Sequence, residues 1–361
     1  MFTKTTKTTE GSNIFTRETI TAESKLGNMP GWSRQSKSGR IKEPYNERKR
    51  QSDRLSTIYE RSIKFIHHKY SERLQECSRR LVFESGRTKD GEEAVKFKHA
   101  MHCNVRLCMV CQHHKSKKRQ RTFIDLLPLV EMENKGYVWL FLTIALKNVA
   151  PNEVKEEFKR LNEGLKRATK RVDWPAEGWI VSREITRGKD GSAHPHLHVM
   201  LLVPPSYFST TSYKSHKKWL EFVRETFRTD YDPAVRIQRI GGKYDGSEDY
   251  MERMRKAVLE VFKYTVKAQD LLEDSSWTLE ITDQLHHLRA ITTGGLLRKY
   301  YKQLEQDRIE DIEVEKWFIP DEEQGLIYLE WSFEKKEYFV SHVTKPKLNK
   351  YLKWGRFYPR E

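Results

Sequence analysis

The run His194-Pro195-His196-Leu197-His198-Val199 sets three imidazoles at alternate positions. Alternate side chains of an extended strand share a face. His194, His196 and His198 therefore line one side, while Leu197, Val199, Leu201 and Val203 line the other. The apolar side is a core face. Two imidazoles at i, i+2 on the opposite side suit a metal ion, since clustered unpartnered imidazoles are otherwise costly. The preceding segment, WIVSREIT (179–186), carries Ser182, Glu184 and Thr186 on its polar face, with Glu184 as the only carboxylate there. A Gly-Lys-Asp-Gly turn joins the two segments as a β-hairpin. A loop of odd length sets Glu184 opposite or beside His196; an even loop without a bulge points it away. Two imidazoles and a carboxylate with open positions suit Mg²⁺ or Mn²⁺ bound through substrate oxygens, and can also hold zinc.

The chain has four cysteines, Cys77, Cys103, Cys108 and Cys111, the last three in C-N-V-R-L-C-M-V-C. The two-residue spacing of Cys108 and Cys111 lets both thiolates face one ion, and Cys103 is near enough to join. Cys77, in ECSRRLVF, is the natural fourth ligand of a tetrahedral zinc, with His99 and His102 as competitors. A closed four-ligand site stabilises the fold rather than reacting. The basic cluster HHKSKKRQR (113–121) follows at once, placed for a zinc knuckle to present to phosphates.

The segment DYMERMRKAVLEVFKYTVKAQDLL (249–272) reads as one long helix. Val258, Val261, Phe262 and Thr265 form a packing stripe, and Glu260, Tyr264 and Lys267 form a polar ridge at i, i+4, i+7. Spacing alone makes that ridge an ordinary solvated face with a Glu–Lys pair.

The surrounding elements must position these groups. GYVWLFLTIALKN (136–148) reads as a buried central strand, and 151–171 as a helix opened by Pro151 and Asn152. Helices are expected over 213–228 and 284–303, with a short strand at 234–240. Residues 56–82 look helical, with Ile58, Ile63, Phe65 and Ile66 available for packing. The expected fold class is α+β: an antiparallel sheet of about five strands with flanking helices, ferredoxin- or RRM-like, preceded by the zinc-bearing segment. Four regions follow: a basic, disordered arm (1–55), a helical four-cysteine segment (56–135), the core domain (136–303) and a small β-rich appendage (304–361).

The chain has 361 residues, with 67 Lys and Arg against 51 Asp and Glu, a formal charge of +16. That balance suggests a polyanionic partner, because Lys and Arg gain affinity by releasing counterions from phosphate backbones. The excess gathers in GWSRQSKSGRIKEPYNERKR (31–50) and at Lys115 to Arg121. A mean hydropathy of −0.80 excludes a membrane bundle, and the start lacks an apolar leader, so a cytoplasmic protein is expected.

Together these segments resemble the plasmid rolling-circle replication initiators, a branch of the HUH endonucleases. FLTIALKN (141–148) resembles that family's first motif, HPHLHVMLLV its metal motif, and KYTVKAQDL (263–271) its nucleophile motif. ECSRRLVF and HCNVRLCMVCQ resemble its cysteine segments, and LRAITTGGLL (288–297) an element found after the tyrosine. The likeness covers roughly 75–300 in family order. One departure is Ala145, where the first motif usually carries Thr. The resemblance implies that His196, His198 and Glu184 hold a divalent ion, Mg²⁺ or Mn²⁺, and that Zn²⁺ is structural. It implies that Tyr264 attacks one strand of origin DNA, leaving a 5′-phosphotyrosine and a free 3′-hydroxyl. Lys267 would offset phosphate charge or lower the phenol's pKa from about 10. Glu260, four residues before the tyrosine, would activate water to end the round. The implied partners are single-stranded and origin DNA, with host helicase and polymerase. Two alternatives are a transposase or mobilisation relaxase of the same fold, and a non-catalytic zinc-containing nucleic-acid-binding protein.

Overall fold

The computed structural model describes residues 24–26, 34–35, 41–42, 44–88, 91, 93–209, 213–240, 247–302, 318–320 and 326–344. Most of the basic arm and of the acidic and basic tail lies outside these residues. The elements used below, in chain order, are α1 (Pro44–Glu60), α2 (Phe65–Glu76), β1 (Arg80–Thr88), β2 (Glu93–Ala100), α3 (Met109–Glu133), β3 (Val138–Ala145), α4 (Val154–Ala168), β4 (Gly178–Arg187), β5 (Ala193–Val203), α5 (His216–Phe227), β6 (Ala234–Ile240), α6 (Glu248–Val261), α7 (Ala268–Glu273), α8 (Ser275–Gln284), β7 (Ile291–Gly295), β8 (Phe318–Pro320), β9 (Leu326–Ser332) and β10 (Glu337–Thr344).

The chain divides into two compact units. The smaller, built from 1–50, 76–101 and 311–361, holds a five-stranded antiparallel sheet in the order β8-β1-β9-β10, with β2 also paired to β1. The stretch expected as a separate appendage thus shares a sheet with residues 80–100. Helix α1 begins at Pro44, inside the stretch that composition assigns to the arm; Pro suits a helix's first position because its missing N–H has no intrahelical partner there.

The larger unit, 51–75 and 102–310, holds the expected α+β core: a five-stranded, wholly antiparallel sheet in the order β6-β3-β5-β4-β7. Helices α4 and α5 pack on each other; a Cβ on Gly164 of α4 would lie 2.4 Å from the Phe227 ring of α5. A second core joins Phe123, Leu127 and Val130 of α3 and Tyr250, Met254, Val258 and Val261 of α6 to Trp139, Phe141, Ile180, Met200 and Leu202 of the sheet. Those five sheet residues share one face by register, so helices cover that part of the face.

Three expectations change. The 56–82 helix is interrupted between α1 and α2, so Ile63 and Phe65 fall at a turn and its edge and are 98% and 74% exposed rather than packed. The helix expected over 284–303 is instead the strand β7 followed by a short helix, Arg298–Tyr301. Ile291, Thr292 and Thr293 are β-branched, and the glycines behind them fit only an extended, turning backbone. A Cβ on Gly294 would lie 2.2 Å from the Trp179 indole, and Gly295 has φ +56°. The long helix over 249–272 ends at Val261 and restarts at Ala268, so Tyr264 lies in a loop. Tertiary pairing overrides helical spacing there: Ile185 of β4 donates its N–H to the Thr265 carbonyl (2.8 Å), and Ile185 and Val266 form a parallel bridge.

Candidate metal centre and tyrosine loop

The β4–β5 hairpin carries the first part of the site. Its ladder closes at Arg187 and Ala193, leaving the five residues 188–192 as the loop. That odd length puts Glu184 directly opposite His196. Two cross-strand rows result, Ala234–Ala145–His196–Glu184 and Arg236–Thr143–His198–Ser182. All of these side chains point to one face.

Glu184 is 2% exposed, and its Oε2 accepts hydrogen bonds from His196 Nε2 (3.1 Å) and His198 Nε2 (2.8 Å). One ligand atom from each of these three residues lies within 4.8 Å of the others. Lys263 Nζ, 2.6 Å from the same Oε2, also pairs with Glu260, and Glu260 lies 4.0 Å from His198 Nε2. Burial pushes the Glu184 carboxyl up, but hydrogen bonds from His196, His198 and Lys263 outweigh it and hold the group far below the usual range. Burial pulls the His198 imidazole down, against the Glu184 hydrogen bond, which favours the neutral ring a metal needs. Burial likewise lowers Lys263, but its bonds to Glu184 and Glu260 lift it overall.

The ring partners fit a cation. His196 Nδ1 lies 3.1 Å from the His194 carbonyl, a contact that holds the ring with Nε2 directed at Glu184. His198 Nδ1 has Thr143 Oγ1 at 3.2 Å, which can fix that ring in the same way. Glu184 Oε1 is buried with no hydrogen-bond partner among the described residues. Two imidazole nitrogens and a carboxylate facing one point suit a metal ion. The register also settles the departure at Ala145. That position faces His196, whose Nδ1 is already engaged by its own strand, while Thr143 serves His198. His194 turns instead to Asn148 Oδ1, at 2.7 Å.

Tyr264 is held between two anchors. Lys263 before it bonds to Glu184, and the Thr265 carbonyl after it accepts from Ile185, the next residue of β4. Its phenol oxygen lies 3.1 Å from His113 Nδ1 of α3. Ser116 of α3 donates to the Phe262 carbonyl, and Gln120 Nε2 donates to Ser116 Oγ (3.0 Å). Sequence spacing placed Glu260, Tyr264 and Lys267 on one ridge. The structure keeps Glu260 beside the site but moves Lys267 to the exposed start of α7, and Lys263 makes the ionic contacts. His113 and Lys263 were not singled out from spacing. The His113–Tyr264 contact spans 151 positions, beyond any periodic signal.

Cys103, Cys108 and Cys111 are buried thiols in the larger unit, with Cys103 and Cys111 sulfurs 3.6 Å apart. Val105 N–H points at Cys103 Sγ (3.4 Å), Ser52 Oγ lies 3.5 Å from Cys108 Sγ, and Cys108 caps α3. Such a cluster can bind zinc. Cys77 is buried and reduced in the smaller unit, and His99 is exposed. HHKSKKRQR lies in the first half of α3; Lys117, Lys118 and Arg121 are exposed while Arg119 is buried.

An antiparallel α+β core with a two-histidine, one-carboxylate centre and a tyrosine loop on the same strand thus defines the class. A profile of the replication protein family matches residues 94–339, and the chain belongs to that family. It is 25% identical over 317 residues to "Protein rep" of Lentilactobacillus hilgardii, covering 83% of this chain and 96% of that one. It is 31% identical over 290 residues to "Protein rep" of Bacillus amyloliquefaciens (73% and 82%) and 32% identical over 215 to a "Replication protein" of Staphylococcus aureus (56% and 90%). No solved structure matches the chain significantly. Among the described residues no helix is long and apolar enough to cross a membrane.

Proposed function

We propose that this chain is a plasmid replication initiator of the HUH endonuclease type. In this reading it nicks one strand of origin DNA and stays attached through Tyr264. The observation that supports this best is the convergence of His196 Nε2, His198 Nε2 and Glu184 on one point, with the tyrosine loop docked on the strand that carries Glu184. A bound Mg²⁺ or Mn²⁺ would polarise the scissile phosphodiester. His196, His198 and Glu184 would hold it, and Thr143 and the His194 carbonyl would orient the rings. Tyr264 Oη forms a bond to phosphorus as the bond to the 3′ oxygen breaks, so the phosphodiester energy is stored for rejoining. Lys263 supplies a fixed cation beside the developing negative charge. Lys267, exposed at the start of α7, is assigned to the flanking DNA backbone. Glu260, half-exposed and hydrogen-bonded to Lys263, is the candidate base for a water that ends the round. The cluster of Cys103, Cys108 and Cys111 would carry Zn²⁺. Host helicase and polymerase would act on the exposed 3′ end, in the cytoplasm.

The test replaces Glu260 by Gln and follows replication products. Loss of monomer-circle release with nicking retained supports the assignment, and normal release removes it. For the whole reading, labelled single-stranded oligonucleotides tiled across the DNA that carries the coding sequence are incubated with Mn²⁺. A covalent adduct lost in Tyr264→Phe supports nicking; binding without any cleavage favours the non-catalytic alternative.

A further inference from the structure

Helix α3 touches the tyrosine loop at two places one turn apart, and neither contact involves a residue of the metal centre. Ser116 is buried, and its hydroxyl, itself held by Gln120, donates to the Phe262 carbonyl just past the end of α6. A helix's last carbonyls lack intrahelical donors, so this bond satisfies an acceptor and fixes where the helix stops. His113, three residues earlier on α3, sets Nδ1 3.1 Å from the Tyr264 phenol oxygen. The same helix begins at Cys108 and Cys111. The apolar side of α3 is locked by Phe123, Leu127 and Val130 in the core shared with α6. The loop is therefore not free to swing: Ile185 grips its far side at Thr265, and α3 grips its near side.

We propose that His113 is a positioning residue for the nucleophile: with Ser116, it aims the Tyr264 hydroxyl at the scissile phosphate. The cysteine segment then serves the chemistry as a mounting for this clamp rather than as a DNA-reading knuckle. This rests on Tyr264 being the nucleophile. The clamp acts through geometry, by removing rotational freedom from a phenol that must approach phosphorus in line. Misplacement of a reacting group by about an ångström can lower a rate about a hundredfold.

The test uses the full chain and the oligonucleotide that wild type nicks. Adduct formation is followed in single turnover against strand concentration for His113→Leu, His113→Asn and Ser116→Ala, with hydrogen exchange across 262–267. The carboxamide of Asn places a hydrogen-bonding atom near the position of Nδ1. His113→Leu should slow adduct formation about a hundredfold with strand affinity unchanged, and His113→Asn should regain about tenfold. Ser116→Ala should speed exchange across 262–267. Wild-type rates in His113→Leu overturn the proposal. So do equal losses in Leu and Asn, and so does a fall in strand affinity that matches the fall in rate. If His113→Leu does not fold, Ser116→Ala decides: wild-type exchange and wild-type rate together overturn the clamp, and faster exchange with a slower rate supports it. Absence of any Tyr264 adduct in wild type would instead remove the functional reading on which the clamp rests.

Discussion

Replacing Glu184 by Gln keeps shape and one carbonyl oxygen but removes the charge on which three donors converge. The structure sets the size of the effect on stability. Breaking a fully buried ion pair costs about 3–5 kcal/mol, because the surviving charge is stranded. Here the survivor, Lys263, has a side chain 29% exposed and keeps its pair with Glu260, so it can stay solvated. Burial already pulls the His198 ring toward its neutral form, so it loses little. The expected cost is therefore nearer 1–2 kcal/mol, a fall in Tm of roughly 2–8 °C for a unit of this size. Metal affinity should suffer far more, since Glu184 is the only carboxylate among the three proposed ligands. A loss of at least about a hundredfold in Mn²⁺ affinity is expected, because removing even an outer-shell partner costs tenfold to a hundredfold. Calorimetric titration of Mn²⁺ into wild type and Glu184→Gln measures this, with thermal melts in chelator reading the stability term separately. Affinity kept within about threefold would refute the assignment of Glu184 as a ligand.

Three further outcomes follow. Thr143→Val removes the hydroxyl beside His198 Nδ1 and should weaken Mn²⁺ binding about tenfold to a hundredfold while costing no more than about 1 kcal/mol of stability; unchanged affinity shows that Thr143 does not orient the ring. Arg236 is exposed on the edge strand β6, in the row of Thr143 and His198. Two strand spacings put it about 10 Å from the metal row, so Arg236→Ala should weaken single-strand binding and reduce the salt slope by about one, whereas an unchanged slope removes it from the DNA path. Glu131, hydrogen-bonded by Tyr250 (2.6 Å) and Trp139 (2.7 Å), is raised by burial against those bonds. The folded state therefore holds that proton more tightly than the unfolded chain, and stability from this group is lost as pH rises through the folded value. Glu131→Gln should gain in Tm relative to wild type as pH rises from about 4 to 7; a relative loss over that range contradicts the sign.

The metal hairpin was legible because its information is local. Alternation along 194–203 and 179–186 assigns faces, and the loop parity then fixes whether Glu184 meets His196. The strand at 234–240 was visible in the same way. What escaped was set by contacts distant in sequence. Residues 249–272 have an unbroken helical pattern, yet Ile185 draws Thr265 and Val266 out of the helix and leaves the tyrosine in a loop. That change exchanges Lys267 for Lys263 at the site. Ile63 and Phe65 looked like packing residues only while 56–82 was one helix. His113 carried no signal except membership of a basic run, because its partner is brought to it by the fold.

The proposed reaction joins Tyr264 to a DNA strand and needs the His196–His198–Glu184 centre. The most direct measurement incubates the protein and Mn²⁺ with the tiled single-stranded oligonucleotides and maps the cross-linked peptide by mass spectrometry. The expected result is a 5′-phosphate adduct on Tyr264, absent in chelator and in His196→Ala. An adduct on another residue, or one that forms equally well in chelator and in His196→Ala, would contradict it.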